Sequence, residues 1–167
     1  KLEFYGLVKT HPQSGTKVQG KGIIALEGFA VDILDFEKED FESIIETRNL
    51  LEIKCVGLAA SKRTKKDIEL LEKTQKYFEE KLSENDSAEQ EDRMFHLQIA
   101  EISGNTILKL LLKIITPNIF RNSSWRNRMN NKSKEQIIEE HREILSFIVS
   151  KNSKAAKLAM KNHLKDH

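Results

Sequence analysis

The chain has 167 residues and a mass of 19.3 kDa, enough for one ordinary domain or for one domain with a fragment of a second. Two prolines and seven glycines, four of them in the first 22 residues, argue against a β-sandwich or barrel and for long helices after the opening stretch. Net charge is only +2, so the chain is no global polycation, but residues 121–167 hold 11 Lys/Arg against 5 Asp/Glu and residues 1–120 hold 17 against 21.

Residues 1–20 differ from the rest of the chain. Leu2, Phe4, Gly6 and Val8 are spaced by two, and Thr10 to Val18 come next with Pro12 and Gly15 at a tip. This predicts a short β-hairpin. Two strands alone do not make a stable unit, so the hairpin is expected to belong to a domain whose earlier part is absent. Gly20-Lys21-Gly22 predicts a hinge, and residues 21–34 a linker.

The remainder reads as helices. Residues 39–61 carry apolar positions Phe41, Ile44, Ile45, Leu51, Cys55, Leu58 and Ala59 at helical spacing. Thr64 to Asp67 is a capping box, with Asp in the acidic place, opening a helix through Ile68, Leu71 and Phe78. Ser87-Ala88-Glu89-Gln90 is a second capping box, opening a helix that Gly104 ends. Asn105 can cap a helix from Leu108 to Ile115, broken or kinked at Thr116-Pro117. Ser133 to Gln136 opens another helix to about Ser150, and Asn152 or Ser153 caps the last. The expectation is an all-α antiparallel bundle of six to seven helices behind the hairpin.

Cys55 is the only cysteine, which excludes an intrachain disulfide, and its apolar neighbours predict a buried, inert thiol. No apolar run approaches the roughly 18–20 residues that span a bilayer. A cytoplasmic protein with no membrane contact is the expectation.

Chemistry concentrates at four positions. Asp92 and His96 are four apart on one helix, so both side chains leave the same face, beside Ile99, Ala100 and Ser103. His141 interrupts the stripe Ile137, Ile138, Leu145, Ile148, and His163 interrupts Ala156, Ala159, Met160. The two stand at similar distances either side of a turn near Lys151–Asn152, so their rings can lie level across a helical hairpin, which small Ala155, Ala156 and Ala159 would let close tightly. On the residues alone two readings stand. One is a set of hydrogen-bonded core histidines. The other is a nitrogen and oxygen ligand set for a divalent transition metal such as zinc, nickel or manganese. The spacing matches neither His-Glu-x-x-His nor the Glu-x-x-His pairs of di-iron bundles.

Residues 91–105 contain Asp92, Phe95, His96, Ser103, Gly104 and Asn105 in the order Asp-x-x-Phe-His, then small-small-Asn. Glu140-His141-Arg142-Glu143-Ile144-Leu145 and the closing Ala156 to Leu164, with Met160 and His163, come after; Glu46 to Glu52 and Leu58-Ala59-Ala60 precede. Together these resemble the C-terminal effector domain of the FadR subfamily of GntR-type bacterial transcription regulators, over roughly residues 35–167. The hairpin resembles the wing that ends such a regulator's winged helix-turn-helix domain, with the recognition helix before Lys1.

The resemblance implies a metal held by Asp92, His96, His141 and His163, with open positions for a small carboxylate effector, an organic or sugar acid. It implies that Arg48 reaches the effector carboxylate, where an ion pair with Glu52 is the plain alternative. Trp125 and Arg126 are expected to wall the pocket or to lie in an exposed loop; Asn105 is an effector contact or an N-cap. Lys9 and Lys17 near the wing tip could touch DNA phosphates. The expected protein is a homodimeric regulator that binds operator DNA, and not an enzyme. The rival, a metal-dependent helical hydrolase, would need a general base near the metal, and Glu139 and Glu140 are its nearest candidates.

Overall fold

The computed structural model describes residues 3, 8–12, 15–18, 41–84, 88–121 and 132–165. Among these stand two strands and six helices: β1 (Val8–His11), β2 (Gly15–Val18), α1 (Phe41–Lys62), α2 (Lys65–Ser83), α3 (Glu89–Ile102), α4 (Thr106–Arg121), α5 (Lys134–Val149) and α6 (Ser153–Lys165). The strands form an antiparallel hairpin in the register Val8↔Val18 to His11↔Gly15. Gly15 enters β2 at φ +83°, a conformation that favours glycine. Leu2, Phe4 and Gly6, the expected hinge at Gly20–Gly22 and the linker at 21–34 lie outside the described residues.

Helix α1 is the centre of the bundle and packs against α3, α4, α5 and α6. Helix α2 closes the other side, on α3 and α5. One apolar core joins all six helices, α2 through Leu71, with Val56, Phe95, Ile119, Ile144, Ile148 and Met160 almost wholly buried in it. A smaller cluster of Phe78, Leu82, Ala88 and Ile137 seals the end where α2 meets α5. On α6, Ala156 and Ala159 are buried, and Ser153 Oγ donates to Gly57 O on α1 at 2.9 Å.

The caps explain most helix boundaries. Thr64 Oγ1 accepts from Asp67 N at 3.2 Å while Asp67 Oδ2 accepts from Thr64 N at 2.8 Å, the expected capping box. Ser133 Oγ accepts from Gln136 N, and Asn152 Oδ1 from Ala155 N, at the starts of α5 and α6. Gly104 ends α3 at φ +63°, and Asn105 Oδ1 accepts from Ile107 N and Leu108 N to cap α4.

Two boundaries differ from expectation. Helix α3 starts one residue later than a Ser87 box requires: Ala88 is its N-cap, at φ 52° with no side-chain cap, and Ser87 lies outside the described residues. Ala88 is 1% exposed beside Phe78 and Ile137, so burial of its methyl offsets the roughly 1–2 kcal/mol of a left-handed non-glycine residue. Glu89, Glu91 and Asp92 in the first turn favour the positive end of the helix dipole. Helix α4 does not end at Ile115 but runs through Pro117 to Arg121. The proline removes one ladder donor, yet Ile114, Ile115, Thr116 and Ile119 around it are buried, and their packing holds the helix together. No helix among the described residues is long and apolar enough to cross a membrane.

A candidate metal centre

The faces that α3, α5 and α6 turn inward carry Asp92, His96, His141 and His163, and these four meet. One ligand atom from each lies within 4.8 Å of all the others, and all four side chains are buried. His96 Nε2 is 3.2 Å from His163 Nε2, and Asp92 Oδ1 is 3.3 Å from His141 Nε2 and 3.8 Å from His96 Nε2. The rings of His141 and His163, expected to lie level across the α5–α6 hairpin, have centroids 4.8 Å apart. Phe95 stacks on His141 at 4.1 Å, and Phe78 lies 4.8 Å away on the same ring. The two aromatic side chains hold that imidazole in plane.

Each ring is held from behind, at Nδ1. His96 Nδ1 contacts Glu52 Oε2 on α1. His141 Nδ1 lies 3.1 Å from Gln75 Oε1 on α2. His163 Nδ1 lies 2.8 Å from Glu140 Oε2 on α5. All three partners are acceptors, so each ring carries its proton on Nδ1 and turns the Nε2 lone pair inward.

Every one of these chains ends in a basic side chain. Arg48 Nε donates to Glu52 Oε1 at 2.5 Å. Lys132 Nζ donates to both Glu140 oxygens, at 3.0 and 2.8 Å. Gln75 Nε2 donates to Glu79 Oε1, and Arg142 grips Glu79 through two bonds of 2.9 and 2.7 Å. Carboxylates or carbonyl oxygens behind ligand histidines fix the tautomer and raise ligand basicity.

Burial pushes the His163 ring down to about 3, against the lift from Glu140, and pushes His141 down as well. Burial alone would raise the Glu52 carboxyl, but Arg48 and His96 outweigh it and bring it to about 2. His141 and His163 are therefore held as neutral imidazoles and Glu52 as a carboxylate, the forms found in and behind metal ligand sets. The site could hold a divalent ion through one carboxylate oxygen and three imidazole nitrogens.

The remaining expected residues fall in different places. Arg48 does pair with Glu52, but the pair is buried rather than at the surface, with Arg48 at 0% exposure. Asn105 sits just past the C-terminal end of α3, with its Oδ1 engaged as the α4 cap. Trp125 and Arg126 lie outside the described residues. Lys9 is exposed on β1, and the ladder pairs it with Lys17. Cys55 is buried, its thiol pushed up to about 11 by burial, as an inert thiol requires. Glu140 lies behind the His163 ring, held by that ring and Lys132, and so occupies no base position on the Nε2 side.

Comparison with known proteins agrees with this architecture. The FCD domain model matches residues 43–166. The HTH-type transcriptional regulator LutR of Bacillus subtilis is 28% identical over 167 residues, covering 98% of this chain and 76% of LutR. The Uxu operon regulator of Haemophilus influenzae is 33% identical over 127 residues, 74% of this chain and 48% of that protein. The chain thus spans about three quarters of the first relative's length and about half of the second's. Among solved structures, a Streptococcus agalactiae GntR protein superposes with a TM-score of 0.77 at 26% identity, covering 99% of this chain and 75% of that one. These relatives are named as regulators of transcription, not as enzymes, and the chain belongs to the FCD-domain family of GntR-type transcriptional regulators.

Proposed function

We propose that this chain is the sensing part of a homodimeric regulator that binds operator DNA, with a divalent metal on Asp92, His96, His141 and His163 as the seat of a small carboxylate effector. One observation carries the metal: His96 Nε2 and His163 Nε2 face each other at 3.2 Å while the Nδ1 of each already meets a carboxylate. With the protons of both rings on Nδ1, two lone pairs at that distance repel unless a cation lies between them. Nitrogen and oxygen donors in this number suit zinc, nickel or manganese.

A metal held by Asp92, His96, His141 and His163 would supply Lewis acidity to anchor an organic or sugar acid. The protein's part is to hold three imidazoles oriented through Nδ1, to exclude competing water by burial, and to carry the effector's influence outward along α1, which touches four other helices. Arg48, on that helix one turn before Glu52, is the residue proposed to meet the effector carboxylate, with Trp125 and Arg126 as further walls and Asn105 as a more distant contact. The hairpin is read as the wing of a winged helix-turn-helix unit, with Lys9 and Lys17 on DNA phosphates; the LutR match, which extends over 98% of the chain, supports that reading. Effector coupling in such systems is typically ~1–3 kcal/mol, enough to change operator occupancy several-fold.

Metal analysis of the purified chain beside the His141→Ala/His163→Ala double variant tests the site. Stoichiometric metal in the first and none in the second is expected; equal content in both refutes it. Operator binding by a longer chain carrying the DNA-reading helix, with and without organic acids that bind this domain, tests the sensor role. An operator affinity indifferent to every such acid refutes it.

A further inference from the structure

Lys132 is a lysine that the fold has taken out of water. It directly precedes Ser133, the N-cap of α5, and its side chain is only 4% exposed. Its ammonium has three donors and three acceptors around it: Glu140 Oε1 at 3.0 Å, Glu140 Oε2 at 2.8 Å and the backbone carbonyl of His163 at 2.9 Å. A buried ammonium is costly and is retained only where it is fully bonded and opposed by an anion. Here both conditions hold, and the anion it opposes is the one that orients His163.

The consequence is one of charge. An imidazole that ligates through its Nε2 lone pair is neutral, so Asp92 is the charged member of a loaded ligand set. Behind them stand three carboxylates, Glu52, Glu79 and Glu140, and each is matched by one cation, Arg48, Arg142 and Lys132. Among the described residues these three ion pairs therefore sum to zero. A divalent ion on Asp92 and three neutral rings then carries a net charge of +1. Without Lys132 the Glu140 charge would bring that total to zero.

We propose that Lys132 is a specificity-determining residue of this centre: by cancelling Glu140 it leaves the loaded site positive, so that the open coordination positions select an anion over a neutral ligand. The inference rests on the metal reading above. A unit charge acting through one carboxylate and one imidazole, at an effective dielectric near 20, shifts a binding constant by about tenfold.

The test uses the cobalt(II)-loaded chain and two small probes followed by the cobalt absorption bands, azide as anion and imidazole as neutral ligand. In Lys132→Met the ratio of azide to imidazole affinity should fall about tenfold. Lys132→Arg should restore it. Glu140→Gln should shift it the opposite way, and the double Lys132→Met/Glu140→Gln variant should return it to the wild-type value. A merely structural role would weaken both probes together and leave the ratio unmoved. An unchanged ratio in Lys132→Met, or a double variant that fails to compensate, overturns the proposal while the metal centre stands. A wild-type chain that takes up no cobalt overturns both.

Discussion

Glu52 is the carboxylate whose loss should be felt most widely. It is 3% exposed, accepts from Arg48 Nε at 2.5 Å and meets His96 Nδ1. Glu52→Gln keeps the shape and removes the charge that balances a buried guanidinium. Breaking a buried pair from one side costs ~3–5 kcal/mol. Linkage gives a compatible figure. The Glu52 carboxyl moves from an ordinary 4.5 to about 2 in the fold. At ~1.4 kcal/mol per unit this is worth about 3 kcal/mol of stability. The unfolded chain binds the extra proton between those two values, so the contribution is complete above about pH 5 and vanishes as pH falls through about 2. For a domain of this size, ~2–4 °C per kcal/mol turns 3 kcal/mol into a Tm drop of about 6–12 °C at pH 7. The assay is thermal unfolding of the metal-free chain and of Glu52→Gln, by circular dichroism, from pH 7 down to the acid limit. The gap should be widest at neutral pH and close as the pH falls below about 4.5. A variant within about 2 °C of wild type at pH 7, or a gap independent of pH, refutes the picture of a desolvated, charge-balancing carboxylate.

Three further outcomes are set by the geometry. His163 titrates near 3 in the fold but close to 6.5 when unfolded, so the unfolded chain binds more protons in that window and the metal-free chain should lose stability as pH falls from about 6.5 toward 3; saturating zinc should move the acid midpoint lower, and an unmoved midpoint would count against binding. Asn105→Ala should lower the urea midpoint by the equivalent of about 1 kcal/mol through loss of the α4 cap, with metal content unchanged; an effector response abolished at unaltered stability would instead make Asn105 a ligand contact. Cys55 should resist a thiol-specific reagent in the native chain and react stoichiometrically in urea, since its thiol is buried and pushed up to about 11; fast labelling of the folded protein would contradict that burial.

The bundle was legible in the sequence wherever a local rule agreed with packing. The Thr64–Asp67 box, the Ser133 cap, the glycine at 104 and the Asn152 cap all sit where short-range hydrogen bonding alone decides the boundary. The helix ends that differ lie where tertiary contacts override the local rule. Ala88 accepts a left-handed conformation because its methyl belongs to the cluster around Phe78, and α4 tolerates Pro117 because the turns on both sides are buried.

The same division separates the inner residues of the site from those behind them. Asp92, His96, His141 and His163 stand out because each breaks an apolar stripe. Arg48 and Glu52 break one too: they come after Ile44 at steps of four and share its inward phase, ahead of Cys55 and Ala59. Read along α1, however, an arginine and a glutamate at i and i+4 look like an ordinary surface pair, and Leu51 and Leu58 look like the core positions, yet the fold leaves those leucines half-buried while Arg48 and Glu52 go inside. Gln75, on the phase of Leu71 and Phe78, is hidden by the same ambiguity. Lys132 could not be found by phase at all, since it lies before its helix begins, and its partner His163 is far along the chain. The missing signal is a chemical requirement rather than a periodicity. A neutral imidazole driven into a core must give its second nitrogen to an acceptor. Three inward histidines therefore demand three inward acceptors, and two carboxylates among them demand two buried cations. Applied to stripe positions, that demand selects Glu52 and Gln75 from the sequence; only the fold supplies the crossing that brings Glu140 and Lys132 onto His163.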